Sequence, residues 1–343
     1  MSSELRVAVA GATGALGGEI LRVLDQVSWR PTEVSALARQ TTATSHVDYG
    51  DDRLPVDVAE RDTLQEVDVV FVATPREAGG PLVSAGAQAG ALVVDCSGAL
   101  AGDPAVPLVV PWVNPEALAG IAAGVVAVPW PGATLLASAL GPLRRAGVVG
   151  PTSATVLLPA SAEGREGIEE LSRQVVALFN SGTPPRKVFP DGLAFDLLPT
   201  AGEADESGWT ELERRTVDET VRVAGIPEGL LDVTLIRVPV FSGCAAHVVV
   251  RPERPVPPEL VLRILTDGGV RPPEAAGARY QPRPRRVEGK PFVHVGWIRP
   301  GADGRSLHLW VAMDNLRTTA TAAVAAAGAL LRGGGQLEGA EAQ

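Results

Sequence analysis

Arg6-Val7-Ala8-Val9-Ala10-Gly11-Ala12-Thr13-Gly14-Ala15-Leu16-Gly17 is the stretch on which the reading of this chain turns. Its first five residues form a short apolar run suited to a strand, and Leu16, Ile20, Leu21 and Leu24 then recur at helical spacing. Between strand and helix, Gly11 permits a tight turn, Gly14 lets backbone approach a pyrophosphate, and Gly17 lets the helix pack closely on the strand. N–H groups at the start of such a helix, with the positive end of its dipole, hold an anion. Gly11, Thr13, Gly14, Ala15, Leu16 and Gly17 are therefore the expected dinucleotide cradle; the alternative is a tight turn that has lost its ligand.

The residues that follow extend the pattern. Segments 34–38, 67–73 (VDVVFVA) and 91–95 (ALVVD) are apolar runs, the last two nearly continuous as in strands buried on both faces, and helical stretches alternate with them. The expected fold class is α/β, with an N-terminal doubly wound parallel sheet. The second strand leads into Ala36-Leu37-Ala38-Arg39 without a carboxylate to take a ribose hydroxyl, so Arg39 is placed for a 2′-phosphate and the cofactor expected is NADP. From about Pro129 the character changes to a mixed α+β domain, with strands at 232–240, 244–250 and 307–312 and helices at 166–178 and 210–223. The alanine-rich stretch 317–332 reads as a packed helix and 333–343 as a frayed tail.

Composition narrows the function. The chain has 343 residues, more than one core usually organises, and 45% are hydrophobic against 20% charged, as in globular proteins. With 30 basic and 40 acidic side chains, the net charge of −10 repels nucleic acid and anionic membranes, so neither is an expected partner. Two cysteines form no disulfide framework and fit a reducing compartment, the cytoplasm being the default. The uncharged stretch 117–143 is interrupted by Pro129-Trp130-Pro131 and reads as a buried strand and helix, not a membrane span. Four scattered histidines show no metal-ligand spacing.

Five motifs carry a resemblance. The glycine cradle is followed in order by Asp95-Cys96-Ser97-Gly98-Ala99, by 106–114 (VPLVVPWVN), by 237–243 (RVPVFSG) and by Asp314-Asn315-Leu316-Arg317. In order and spacing the chain resembles the aspartate-semialdehyde dehydrogenases over almost its whole length. The resemblance implies an NADP-binding domain at 1–128, a central α+β substrate and dimerisation domain at 129–312, and a C-terminal helix at 313–343 returning to the first. It also implies the substrate class, aspartyl phosphate reduced to aspartate semialdehyde in amino-acid biosynthesis, and Asn315 among the cofactor-binding residues.

That chemistry needs a thiolate nucleophile, a base for its proton and cations for carboxylate and phosphate. Where the family carries its Asn-Pro-Asn-Cys segment, this chain has 126–134 (VAVPWPGAT), with Pro131 nearest the cysteine position. The family's glutamine matches Leu158, its base histidine Cys244 and one phosphate-binding arginine Ala101. Three features survive: Arg237, which in the family holds the substrate carboxylate, Glu213, a substrate-contacting acid, and Arg215 where a phosphate-contacting lysine is usual. They form the remnant of a small-anion pocket, or else an ion-pair partner and ordinary helix-surface charges. Cys244 beside Arg237 could serve as a relocated thiolate, but His247 lies three residues along the same strand and points to the other face. Cys244 and Cys96 both read more simply as small packing residues.

The expected protein is accordingly similar to the Usg-like branch that lacks the catalytic cysteine: a non-catalytic homologue, still NADP- or partner-binding, and a homodimer. The alternatives are an active NADP-dependent oxidoreductase on aspartate semialdehyde or another small carbonyl or acyl phosphate, and a structural partner in a mixed dimer with an active paralogue.

Overall fold

A computed structural model describes residues 4–40, 45–119, 121, 124–272 and 281–333. The chain divides into two compact units, one made of 1–129 and 319–343 and the other of 130–318. The tail expected to fray lies, beyond Gly333, outside the described residues.

The first unit is a seven-stranded sheet in the order β3-β4-β2-β1-β5-β6-β7. Its strands are β1 (Arg6–Ala10), β2 (Glu33–Ala38), β3 (His46–Tyr49), β4 (Asp52–Val58), β5 (Val69–Val72), β6 (Leu92–Asp95) and β7 (Val125–Ala127). All neighbours pair in parallel except β3 and β4, an antiparallel hairpin at the edge. Helix α1 (Ala15–Leu24) and helix α2 (Arg76–Gln88) supply crossovers.

Alternation along the central strands feeds two separate cores. Val7, Val9, Val69 and Phe71 pack with Ile20, Leu21 and Leu24 of α1, while Ala8, Val70 and Val72 pack with Leu37, Leu64 and Val83. Each fully buried Leu, Ile or Phe contributes roughly 1.5–3 kcal/mol, which is why these strands need no polar residues. The first core is completed by the last helix, α8 (Asn315–Leu331), whose Ala320, Ala323, Val324 and Ala327 lie among the same side chains. Small residues allow close approach here: a Cβ on Gly328 would stand 2.5 Å from the Trp29 indole nitrogen.

The second unit is built on a five-stranded sheet, β11-β12-β10-β8-β9. These strands are β8 (Thr152–Leu158), β9 (Leu231–Arg237), β10 (Cys244–Val250), β11 (His294–Pro300) and β12 (Leu307–Met313). Pairing is antiparallel except between β8 and β9. Its helices are α3 (Pro131–Arg145), α4 (Gly164–Phe179), α5 (Glu211–Ala224), α6 (Pro258–Asp267) and the short α7 (Pro284–Val287). Helix α3 is buried all round from Gly132 to Leu143 and lies against α5, α6 and the sheet, so the uncharged stretch read from the sequence is strand β7 plus a core helix. Among the described residues no helix is long and apolar enough to cross a membrane.

Candidate active site

In the first unit, the turn after β1 is shaped by two glycines that no other residue could replace. Gly11 has φ +92°, and a Cβ there would meet the Ala73 carbonyl oxygen at 2.4 Å; a Cβ on Gly17 would meet the Gly11 carbonyl oxygen at 2.1 Å. The turn is held by the Gly11 and Ala12 N–H groups, which donate to the Leu37 carbonyl at 2.8 and 3.0 Å. Gly14 is the N-cap of α1, in extended conformation, with no side-chain cap and no acidic residue in the first turn. An uncapped helix start with backbone on every side is a cradle for an anion, and its shape fits the pyrophosphate of a dinucleotide. Arg39 is exposed and directly follows the last residue of β2.

Past β6, the buried Asp95 carboxylate accepts from the Ser97 N–H (2.8 Å), the Ser97 hydroxyl (2.5 Å) and the Leu100 N–H (2.8 Å), fixing the loop that carries Cys96. Burial, and then the charge of Asp95, push the Cys96 thiol well above its ordinary range. It carries no thiolate at neutral pH.

In the second unit, Pro131 is the first residue of α3, the place where a ring-locked φ and a missing N–H are harmless. Trp130, the N-cap, folds its indole over the helix start, so that a Cβ on Gly132 would stand 2.3 Å from the ring. The Trp130 backbone N–H donates to Glu219 Oε2 at 2.7 Å and its indole N–H to Thr216 Oγ1 at 3.0 Å. Arg215 pairs with the other Glu219 oxygen at 2.5 Å. The residue read as a phosphate contact is thus engaged along its own helix, bracing the carboxylate that anchors α3.

Glu213 departs from one of the two sequence expectations. It is only 8% exposed, so it is not a helix-surface charge. Its Oε2 accepts from the Thr210 N–H (3.0 Å) and hydroxyl (2.9 Å), and its Oε1 from the Leu235 N–H of β9 (3.1 Å). The Glu213 N–H donates back to Thr210 Oγ1 at 3.2 Å, closing a capping box at the start of α5. Both oxygens serve the fold.

Leu158, Arg237, Cys244 and Asn315 gather around one end of the sheet. Leu158 is buried and registers with Arg237 on the neighbouring strand. Arg237 makes an ion pair with Glu163, and its guanidinium lies 5.9 Å from the Phe189 ring. Asn315 Oδ1 accepts from the Ser161 hydroxyl (3.0 Å) and the Gly243 N–H (2.9 Å), tying the turn after β8 to the start of β10. Cys244 follows that Gly243. It is buried, and its thiol is pushed well up, by burial first and then by Asp314, so the lowering expected from Arg237 is overturned by desolvation. His247 is on the other face and is hydrogen-bonded to His308, with ring nitrogens 3.0 Å apart. Among the described residues no three His, Cys, Asp or Glu groups could hold a metal ion.

Comparison with known proteins points one way. Residues 6–121 match the semialdehyde dehydrogenase NAD-binding domain, and residues 140–318 match the semialdehyde dehydrogenase dimerisation domain. The chain is 33% identical over 322 residues to a USG-1 protein homolog of Azotobacter vinelandii, covering 92% of this chain and 94% of the relative. It is 31% identical over 337 residues to aspartate-semialdehyde dehydrogenase 2 of Vibrio cholerae, covering 97% and 99%. The fold superposes on a crystal structure of Vibrio cholerae aspartate semialdehyde dehydrogenase II complexed with ASA, with a TM-score of 0.90 at 30% identity over 96% of this chain and 99% of that one.

Proposed function

This chain belongs to the aspartate-semialdehyde dehydrogenase family, and we propose that within it the chain is a member without the dehydrogenase reaction, keeping the nucleotide cradle and the dimerising unit. The observation that carries this reading is at the start of α3. Pro131, the residue matched to the family's nucleophilic cysteine, is a helix-initiating proline, and the Trp130 indole lies over the next residue, Gly132. The residue matched to the base is Cys244, a buried thiol held in its protonated form. Loss of nucleophile and base together leaves little, because such groups act as a unit.

The residues that fit a cofactor are those of the cradle. In this reading the N–H groups of Ala15, Leu16 and Gly17 at the N-terminus of α1 hold the pyrophosphate, Gly11 and Gly14 keep side chains out of its way, and Arg39 takes the 2′-phosphate of NADP. When bound, the nicotinamide supplies a hydride acceptor or donor. On the second unit, Arg237 is already neutralised by Glu163 and Glu213 is spent on its helix cap, so the remnant pocket offers a small anion a partly compensated site. The protein is a homodimer through the unit that matches the dimerisation domain, or forms a mixed dimer with an active paralogue.

The test is direct. Purified protein is titrated with NADP and NAD by calorimetry and assayed for phosphate-dependent oxidation of aspartate semialdehyde. Binding of NADP with turnover at least ~10⁴-fold below that of a competent enzyme is expected. Substantial NADP-dependent, phosphate-requiring turnover would overturn the proposal. The uncapped cradle and Arg39 favour one second reading, an oxidoreductase that transfers hydride to another small carbonyl without a covalent intermediate; no binding of either cofactor at millimolar concentration would eliminate it.

A further inference from the structure

Three glutamates of the second unit each hold backbone in place. Glu170 accepts from the N–H groups of Lys187, Val188 and Phe189, Glu213 from those of Thr210 and Leu235, and Glu219 from that of Trp130. Glu163 is of another kind. Its one side-chain bond among the described residues is the ion pair with Arg237, in which Nη1 donates to Oε1.

The two members of that pair are held very differently. Arg237 ends β9 with its backbone fixed on both sides: it registers with Leu158 of β8 and exchanges hydrogen bonds with Leu198 at 2.9 and 3.0 Å. Its side chain is 14% exposed, and its guanidinium lies over the ring of the buried Phe189. Glu163 stands at the end of the short helical turn Ala160–Glu163, with its side chain 34% exposed. Gly164 follows it with φ +67°, and a Cβ there would meet nothing within 4 Å. A fixed cation thus faces a carboxylate on a roomy turn. Pairing through Nη1 leaves the other edge of the guanidinium, Nε and Nη2, without a partner among the described residues, and neither nitrogen is sealed from solvent. Two parallel N–H groups on one edge form a fork that grips a ligand oxygen.

We infer that Glu163 is an internal stand-in for a ligand carboxylate: it keeps Arg237 occupied, turns free carboxylates away and leaves the open edge to a neutral oxygen, that of an amide or ester. The inference deepens the proposed function and rests on its reading of Arg237 as part of a ligand pocket. A free carboxylate on the Nε and Nη2 edge shares one guanidinium with Glu163, so two negative charges compete for a single positive one, and the like-charge contact weakens binding. An amide or ester oxygen accepts from the same N–H groups and brings no charge. The pair therefore discriminates by charge, and Glu163 is the residue that sets the preference. An ion pair with one exposed member adds little to stability, so the fold does not depend on it.

Calorimetric titration of the full chain with malonate and with its uncharged diamide, malonamide, tests this in the wild type, in Glu163→Gln and in the double variant Glu163→Gln/Arg237→Gln. Glutamine keeps an acceptor oxygen for Nη1 and removes only the charge. Glu163→Gln is expected to bind malonate at least ~10-fold more tightly than the wild type does, while malonamide affinity changes less than ~3-fold. The double variant is expected to lose the gain, which places it at Arg237. Equal malonate affinity in the wild type and Glu163→Gln, no malonate binding to Glu163→Gln even at tens of millimolar, or a gain that survives in the double variant would each overturn the inference. So would a Glu163→Gln chain without a cooperative urea transition, because Glu163 would then be holding the fold. The proposed function is read separately in the wild type by NADP binding and the phosphate-dependent assay. Turnover there would overturn that reading and leave the malonate result to judge Glu163, whereas a failed malonate gain would leave that reading standing.

Discussion

Replacing Glu213 by alanine is expected to cost stability and not ligand contacts. Its carboxylate accepts three hydrogen bonds, two from Thr210 and one from the Leu235 N–H, in a setting only 8% exposed. Loss of the reciprocal cap costs about 1 kcal/mol. Leaving the Leu235 N–H buried without its acceptor costs about 1–3 kcal/mol more. The sum is about 2–4 kcal/mol, partly offset by no longer burying a charge. Glu213→Gln keeps the volume and one acceptor oxygen but turns an amide N–H toward a donor, so about half the loss is expected. Urea unfolding followed by the fluorescence of Trp209 and Trp130, which adjoin α5, reads the effect. With a slope near ~2 kcal/mol/M, the Glu213→Ala midpoint falls by about 1–2 M. A midpoint within ~0.2 M of wild type, together with weakened binding of a small anion, would refute the reasoning and return Glu213 to the pocket.

Four further outcomes are expected. Gly17→Ala forces a Cβ to 2.1 Å from the Gly11 carbonyl oxygen and should lower both the melting temperature and NADP affinity, the latter at least ~10-fold, whereas Gly18→Ala, with nothing nearer than 3.8 Å, should leave binding intact and stabilise α1 by ~0.5–1 kcal/mol. Arg39→Ser should weaken NADP at least ~10-fold while sparing NAD, as read by calorimetry. Neither cysteine should react rapidly with a disulfide reagent in the native protein; since folding raises both thiol values, their contribution is fully present below the unfolded thiol value near 9 and stability should decline above it, a decline that Cys244→Ala reduces in urea melts from pH 7.5 to 10. Burial acts to raise the Glu170 carboxyl, but N–H bonds from Phe189, Val188 and Lys187 outweigh it and hold the group below its ordinary value; its stabilisation is present above about 4.5 and lost as pH falls through the folded value, so Glu170→Gln should destabilise α4 by about 1–3 kcal/mol at pH 7 and flatten the acid limb of the stability curve.

The parallel sheet was legible in the sequence because strands buried on both faces leave continuous apolar runs, and the cradle because strand, glycines and helix are adjacent along the chain. The β3–β4 hairpin was not legible: its strands mix charged and apolar residues and are mostly exposed, and the signal is the weak alternation of HVDY and RLPVDV about the turn at Gly50, which has φ +56°. The cap at Glu213 was legible and overlooked, since Thr210-Glu211-Leu212-Glu213 is itself a capping-box pattern ahead of a helix. Arg215 and Glu219 likewise stand four apart, the spacing of a helical ion pair. The seat of Trp130 on Glu219 and Thr216 was beyond such reading, for those partners lie 89 and 86 residues away and no local pattern encodes them.

Helix α8 gives the order of synthesis a particular importance. Strand β1 begins at residue 6, yet the apolar face it shares with α1 is roofed by residues 320–329, which are made long after it. Until α8 has been made, the nascent sheet presents uncovered valines and isoleucine to the cell, a long window for chaperone capture or aggregation. Early termination anywhere before α8 should therefore yield an insoluble product instead of a working nucleotide-binding fragment.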